Sequence, residues 1–190
     1  LITACNEMKR VITSSLIKSS TDEFRRQAGI LGNTVGNTQR RAQALANTSF
    51  KGVTWSERLW TNQDVLRLEI DKQLRRGMMQ GVHPRVLARE IRKEFNVTTY
   101  QAERIMRTEK ARVQIESQRI SFEEGGYTQY EFIAEPDACP VCAELNEKIF
   151  DVDKMEAGIN AAPMHPNCRC STAAHMDREA FERDLEARGL

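Results

Sequence analysis

The feature that most constrains this chain is a cluster of soft donors toward one end, Cys139-Pro-Val-Cys142 followed by His165-Pro-Asn-Cys168-Arg-Cys170. Two cysteines separated by two residues form a knuckle, because the turn between them brings both sulfurs to one side. Four such ligands close a tetrahedron around zinc. The second group over-supplies the site, offering His165, Cys168 and Cys170 for two places. The spacing favours Cys139, Cys142, His165 and Cys168 as ligands, with Cys170 as the substitute. Cys168 and Cys170, two apart, share a face if they lie on a strand. The competing readings are two disulfides, a set of reduced core cysteines, or a cysteine nucleophile with His165 as its base. Five cysteines, an odd number with only Cys5 lying away from the cluster, read as ligation rather than as a disulfide framework. No third residue that would orient a catalytic His165 can be picked out, so a structural zinc site is the expectation.

The rest of the chain has to supply the core that carries this cluster. At 190 residues, 40% hydrophobic and 29% charged, it is long enough for one good core or two small ones. No stretch approaches the roughly 20 apolar residues of a membrane span, and the first residues lack the apolar run of a signal peptide. The start at Leu1 points to an upstream portion that is not part of this sequence.

Apolar residues at Ile2, Cys5, Met8, Ile12 and Leu16 fall on one helical stripe, which makes Cys5 a small buried residue rather than a reactive one. The Gly/Asn-rich run from Gly29 to Thr38 predicts a break, with a short helix to follow over residues 39–46. Thr54-Trp-Ser-Glu57 matches a capping box and predicts a helix start, with Leu59, Leu66, Ile70, Leu74 and Met78 along it and Gly77 or Gly81 as its stop. Trp55 and Trp60 beside that stripe read as packing aromatics. His83-Pro84 opens another helix, with His83 at its surface or cap. Thr98-Thr-Tyr-Gln101 repeats the capping pattern and predicts a fresh, long helix that ends at Gly125-Gly126.

After Gly126 the period changes from helical to alternating. Tyr130, Phe132 and Ala134 set one face of a strand, and two further short strands are expected at residues 148–150 and 169–173. A terminal helix over residues 177–187 presents Phe181 and Leu185, and His175 beside it reads as a surface residue. The fold class expected is therefore α+β, helical in its first two-thirds with a small mixed Cys/His domain behind. The divisions are residues 1–53, the end of a region continuing upstream; 54–126, helical; and 127–190, the Cys/His domain with its terminal helix.

Net charge is +1, too even for nucleic-acid binding by bulk charge. Basic residues nevertheless prevail between residues 85 and 119, so any contact with DNA is expected at Arg104, Arg107, Lys110, Arg112 and Arg119. Around the cysteines Glu131, Glu135, Asp137 and Glu144 make the surroundings acidic. That argues against phosphate contact there and against a zinc-knuckle nucleic-acid module.

Arg107-Thr108-Glu109 on a long helix, the Cys139 to Cys142 knuckle, a short apolar strand at residues 148–150 and the ending His165-Pro166-Asn167-Cys168-Arg169-Cys170 occur in one order. In that order the chain resembles the Mu-F-like phage head morphogenesis family. The resemblance runs from Thr54 to Ala174, and its most specific part is the H-P-x-C-R-C ending. A departure falls at Leu145-Asn146-Glu147, where relatives carry a glycine-containing turn. The resemblance implies a minor head protein of the virion, assembled in the host cytoplasm. It implies association with the portal and other head proteins, contact with double-stranded DNA and a part in packaging and ejection.

Neither Arg107 nor Glu109 has an oppositely charged residue four positions on, since Ala111 and Val113 stand there. Either one of the two charges reaches the cysteine domain and locks helix to knuckle, or both belong to a solvated helix face. Two classes of function remain in view. The first is a structural protein without catalytic residues, the reading favoured here. The alternative is a toxin-associated Mu-F-like domain or an enzyme using a Cys/His site, which would call for grouped acids or histidines that this chain, with three histidines, does not display.

Overall fold

The computed structural model describes residues 2–48, 54–80 and 83–176, with some side chains before residue 101 outside that description. The expected terminal helix with Phe181 and Leu185, and the side chains of Cys5, Trp55 and Trp60, lie outside the described residues. The class is α+β: among the described residues four helices precede a small three-stranded sheet with the Cys/His cluster beside it.

Helix α1 (Ile2–Leu31) buries Ile12, Leu16, Ser20, Glu23, Phe24 and Gln27, one stripe at helical spacing. It runs through Gly29, where a break was expected. A glycine inside a helix costs about 1 kcal/mol relative to alanine, and Leu31, packed against the core two residues later, offsets that. Gly32, at φ 69°, ends the helix instead. Helix α2 (Thr38–Asn47) follows after the turn and seats Ala42 and Ala46 with no exposed surface.

Helix α3 (Trp55–Gln80) starts at the expected capping box. The Thr54 backbone N–H donates to Glu57 Oε2 at 2.7 Å, and the Glu57 N–H donates to Thr54 Oγ1 at 3.2 Å. Helix α4 (Pro84–Glu124) is a single helix of 41 residues, about 60 Å long at 1.5 Å per residue. The predicted start at Thr98 is therefore not a start. A capping side chain has work only where backbone N–H groups lack a carbonyl one turn back, and here the preceding turns are already helical. The C-terminus matches expectation. Gly126, at φ 77°, lets the Tyr127 N–H reach Phe122 O at 2.9 Å and its own N–H reach Glu123 O at 3.1 Å.

Helix α4 packs against α1, α2 and α3. Its seam with α1 is apolar at Ile12, Leu16 and Val113, then turns polar. Ser20 and Ser117 share a hydrogen bond of 2.7 Å, and Gln118 Nε2 donates to Glu23 Oε1 at 2.8 Å.

The sheet has the order β2-β1-β3, both pairs antiparallel, from β1 (Gln129–Ile133), β2 (Ile149–Asp151) and β3 (Ser171–His175). The later strands begin one and two residues after the expected starts. Tyr130 and Phe132 point inward from β1 and are fully buried, while Ile133 is exposed. The core they enter holds Ile115 and Phe122 of α4 as well as Val152, Met155, Ala161, Ala162, Cys142, Cys168 and Cys170. One apolar core thus spans the division expected at residue 126. Thr172 Oγ1 adds a polar clamp, donating to Gln118 Oε1 at 2.6 Å, while Gln118 Nε2 also lies 3.3 Å from Ser171 Oγ. Among the described residues no helix is long and apolar enough to cross a membrane.

Candidate metal centre

Each half of the donor cluster is shaped by a short turn. Cys139 caps the single-turn helix α5 (Pro140–Ala143), with Pro140 in the first turn, where its missing N–H costs nothing. That turn returns the Ala143 N–H to Cys139 O at 2.9 Å and brings Cys142 round to the side of Cys139. The second half follows Pro163, whose peptide bond is cis. It turns back at Asn167, φ 64°, with the Cys168 N–H on His165 O at 3.1 Å. Cys168 and Cys170 lie just before β3 rather than on it, yet both are buried.

Two sets of three donors form, Cys139 with Cys142 and His165, and Cys142 with Cys168 and Cys170. Within each set all ligand atoms lie within 4.8 Å of one another. Cys142 belongs to both, so the five donors are one cluster around a fully buried sulfur. Cys142 Sγ stands 4.0 Å from Cys168 Sγ. Two thiolates each 2.3 Å from a tetrahedral ion stand about 3.8 Å apart, whereas a disulfide needs about 2.05 Å. The spacing fits ligation, and the four cysteines are free thiols. All four residues expected as ligands are in the cluster, and Cys170 is there with them.

His165 Nδ1 lies 2.9 Å from the Pro166 carbonyl. A neutral ring that donates through Nδ1 keeps its lone pair on Nε2, the arrangement that presents a histidine to a metal. The thiols differ in environment. Backbone N–H groups, that of Cys142 above all, hold the Cys139 thiol below its usual range, while burial pushes Cys142 and Cys170 up. Deprotonating buried sulfurs needs a compensating cation, which is what a bound metal supplies.

The charged residues of α4 are arranged differently from the expectation. Glu109, with 1% of its side chain exposed, accepts from Arg112 Nε at 2.8 Å and from Arg58 Nη1 at 2.7 Å. Arg107 pairs back to Glu103 at 3.3 Å. Neither charge reaches the cysteine loop. Thr108 does so instead, its Oγ1 accepting the Asn167 N–H at 3.2 Å.

The expected DNA-contact set is corrected at Arg112, which is 3% exposed and also donates to Leu45 O at 2.7 Å. A guanidinium so enclosed cannot meet a phosphate without breaking its ion pair. Arg119 is matched by Glu116 and Glu123. Arg104 and Lys110 are exposed, with no ion-pair partner among the described residues. Gln118 and Glu23, which tie α4, α1 and β3 together, carried no signal in the sequence. The partners of Gln118 are all 53 or more positions away, and Glu23, which also accepts from Arg26 and Gln27 on its own helix, meets Gln118 95 positions on.

These features meet in a known family. Residues 68–173 match the family described as Phage Mu protein F like protein, a stretch holding α4, β1, β2, the first residues of β3 and every donor of the cluster. The chain belongs to this family of phage head morphogenesis proteins. No curated protein and no solved structure matches it.

Proposed function

We propose that the protein is a minor component of the phage head, acting at or near the portal in DNA packaging and ejection by binding rather than catalysis. The Cys/His cluster is read as a structural zinc site. The observation that carries this reading is that the cluster shares one core with the long helix α4 in a chain of the Mu-F-like family. A metal there stiffens the end of a helix whose exposed face is left for partners. Sulfur and imidazole donors at tetrahedral spacing suit zinc. Burial of Cys142, Cys168 and Cys170 supports a structural role, since a buried thiol is a poor nucleophile.

The partners proposed are the portal protein, other head proteins and, non-specifically, double-stranded DNA. The exposed Arg104 and Lys110, with Arg107 beside them, supply the charge for the last. The site of action is the virion, in the head interior or close to the portal, after assembly in the host cytoplasm.

A phage lacking the gene tests this. It should build DNA-filled heads of reduced infectivity, and in the parent phage the protein should purify with heads rather than tails. Heads devoid of the protein would defeat the reading. One observation favours an enzyme instead: Cys139 is only half-buried, its thiol is shifted toward the thiolate, and His165 lies within 4.8 Å. In that case Cys139→Ser should abolish an activity on DNA or protein while zinc remains bound.

A further inference from the structure

Resting on the reading that the cluster holds a metal ion, we propose that Thr108 is the positioning residue of that centre. Its hydroxyl fixes the His165–Cys168 loop against α4 and so sets how firmly the ion is held. Thr108 is 9% exposed, and Oγ1 donates its proton to Arg104 O, one turn back, at 2.8 Å. A hydroxyl has one proton and two lone pairs, so with the proton committed to the helix the oxygen can only accept from the loop. It accepts the Asn167 N–H at 3.2 Å.

Two backbone N–H groups matter in this turn. That of Cys168 is taken inside the loop by His165 O, while that of Asn167 faces α4 and meets Thr108. Among the described residues this is the one hydrogen bond between residues 165–170 and α4. The Asn167 side chain does not share the task, because its Oδ1 is buried without a partner. The charges flanking Thr108 do not share it either, being committed to Glu103, Arg58 and Arg112. Asn167 sits between His165 and Cys168, two donors of the cluster, so shifting its backbone would move both at once.

Removing a group that orients metal ligands lowers metal affinity by about 10–100-fold. Thr108→Val keeps the shape and loses the acceptor, Thr108→Ser keeps the acceptor, and Asn167→Gly keeps the N–H and adopts φ 64° without strain. The zinc-loaded full chain is mixed with a chromophoric chelator and the rate of zinc loss recorded for each. Thr108→Val should release zinc at least about ten-fold faster than the parent, with Thr108→Ser and Asn167→Gly within about two-fold of it. Hydrogen exchange on the unmutated protein gives a reading independent of any variant's folding, and the Asn167 amide should be protected when zinc is bound. A parent that holds zinc while Thr108→Val releases it at the parental rate, or an unprotected Asn167 amide, overturns the proposal alone. A parent that takes up no zinc overturns the metal reading and the proposal together.

Discussion

Arg112 and Glu109 stand one turn apart on α4, joined Nε to Oε2 at 2.8 Å and almost wholly shut away from water. The second carboxylate oxygen takes Arg58 from α3, and the Arg112 fork extends to Leu45 O of α2. A residue that reads from sequence as a surface cation is thus the junction of three helices.

Arg112→Ala should therefore destabilise the protein by about 3 kcal/mol, the lower end for breaking a buried pair, because Arg58 still partners the carboxylate. Arg112→Lys should recover only part of this, since one ammonium cannot reach both Glu109 and Leu45 O in the geometry of the guanidinium fork. Arg104→Ala, at an exposed position, should change stability by no more than about 0.5 kcal/mol. Urea unfolding of the three variants checks the order. Equal losses at 104 and 112 would show that the junction carries no energy.

Binding to double-stranded DNA should be weak, independent of sequence and strongly dependent on salt. Charge reversal at Arg104 and Lys110 should reduce the slope of log K against log salt by about 0.9 for each phosphate no longer neutralised. Reversal at Arg119, already matched by two acids, should change it less. Fluorescence anisotropy across a salt series makes the measurement, and an unaltered slope in the double variant would move the DNA-binding surface off α4.

The purified chain should contain one zinc ion, detectable by elemental analysis. Chelation should lower the melting temperature and open residues 134–170 to protease first, because the cluster closes that loop-rich segment. Since Ile115 and Phe122 share the core with Cys142, the second half of α4 should loosen as well. Cys139→Ser should reproduce the effect. Metal-free protein with Cys139 and Cys142 in a disulfide would overturn the assignment.

The turn over Leu145-Asn146-Glu147 places Glu147 at φ 63°, the left-handed region that glycine enters without strain. The turn is held by the Glu147 N–H on Phe132 O at 2.8 Å and by Asn146 Oδ1 accepting the Ala134 N–H at 2.9 Å. Glu147→Gly should stabilise the protein by up to about 1 kcal/mol, the left-handed strain relieved less the extra freedom glycine has when unfolded. Thermal melting of the variant decides the sign.

What the sequence by itself determined was local. Helical spacing in α1 and α3, the Thr54–Glu57 cap, the Gly126 stop, the alternation at Tyr130 and Phe132 and the knuckle at Cys139 and Cys142 each depend on residues a few positions apart. The forces that set them act over the same few residues. What only the tertiary structure decided depended on distant partners. Leu31 found a core to enter, so α1 runs through Gly29. A helix already under way left the Thr98 box without N–H groups to cap, so α4 is continuous. Arg112 and Glu109 were neutralised by burial with Arg58, 51 positions from Glu109, and Thr108 was turned toward Asn167, 59 positions on. Sequence spacing reports which side chains share a helix face, but the partner each one meets depends on which other segment is packed against that face.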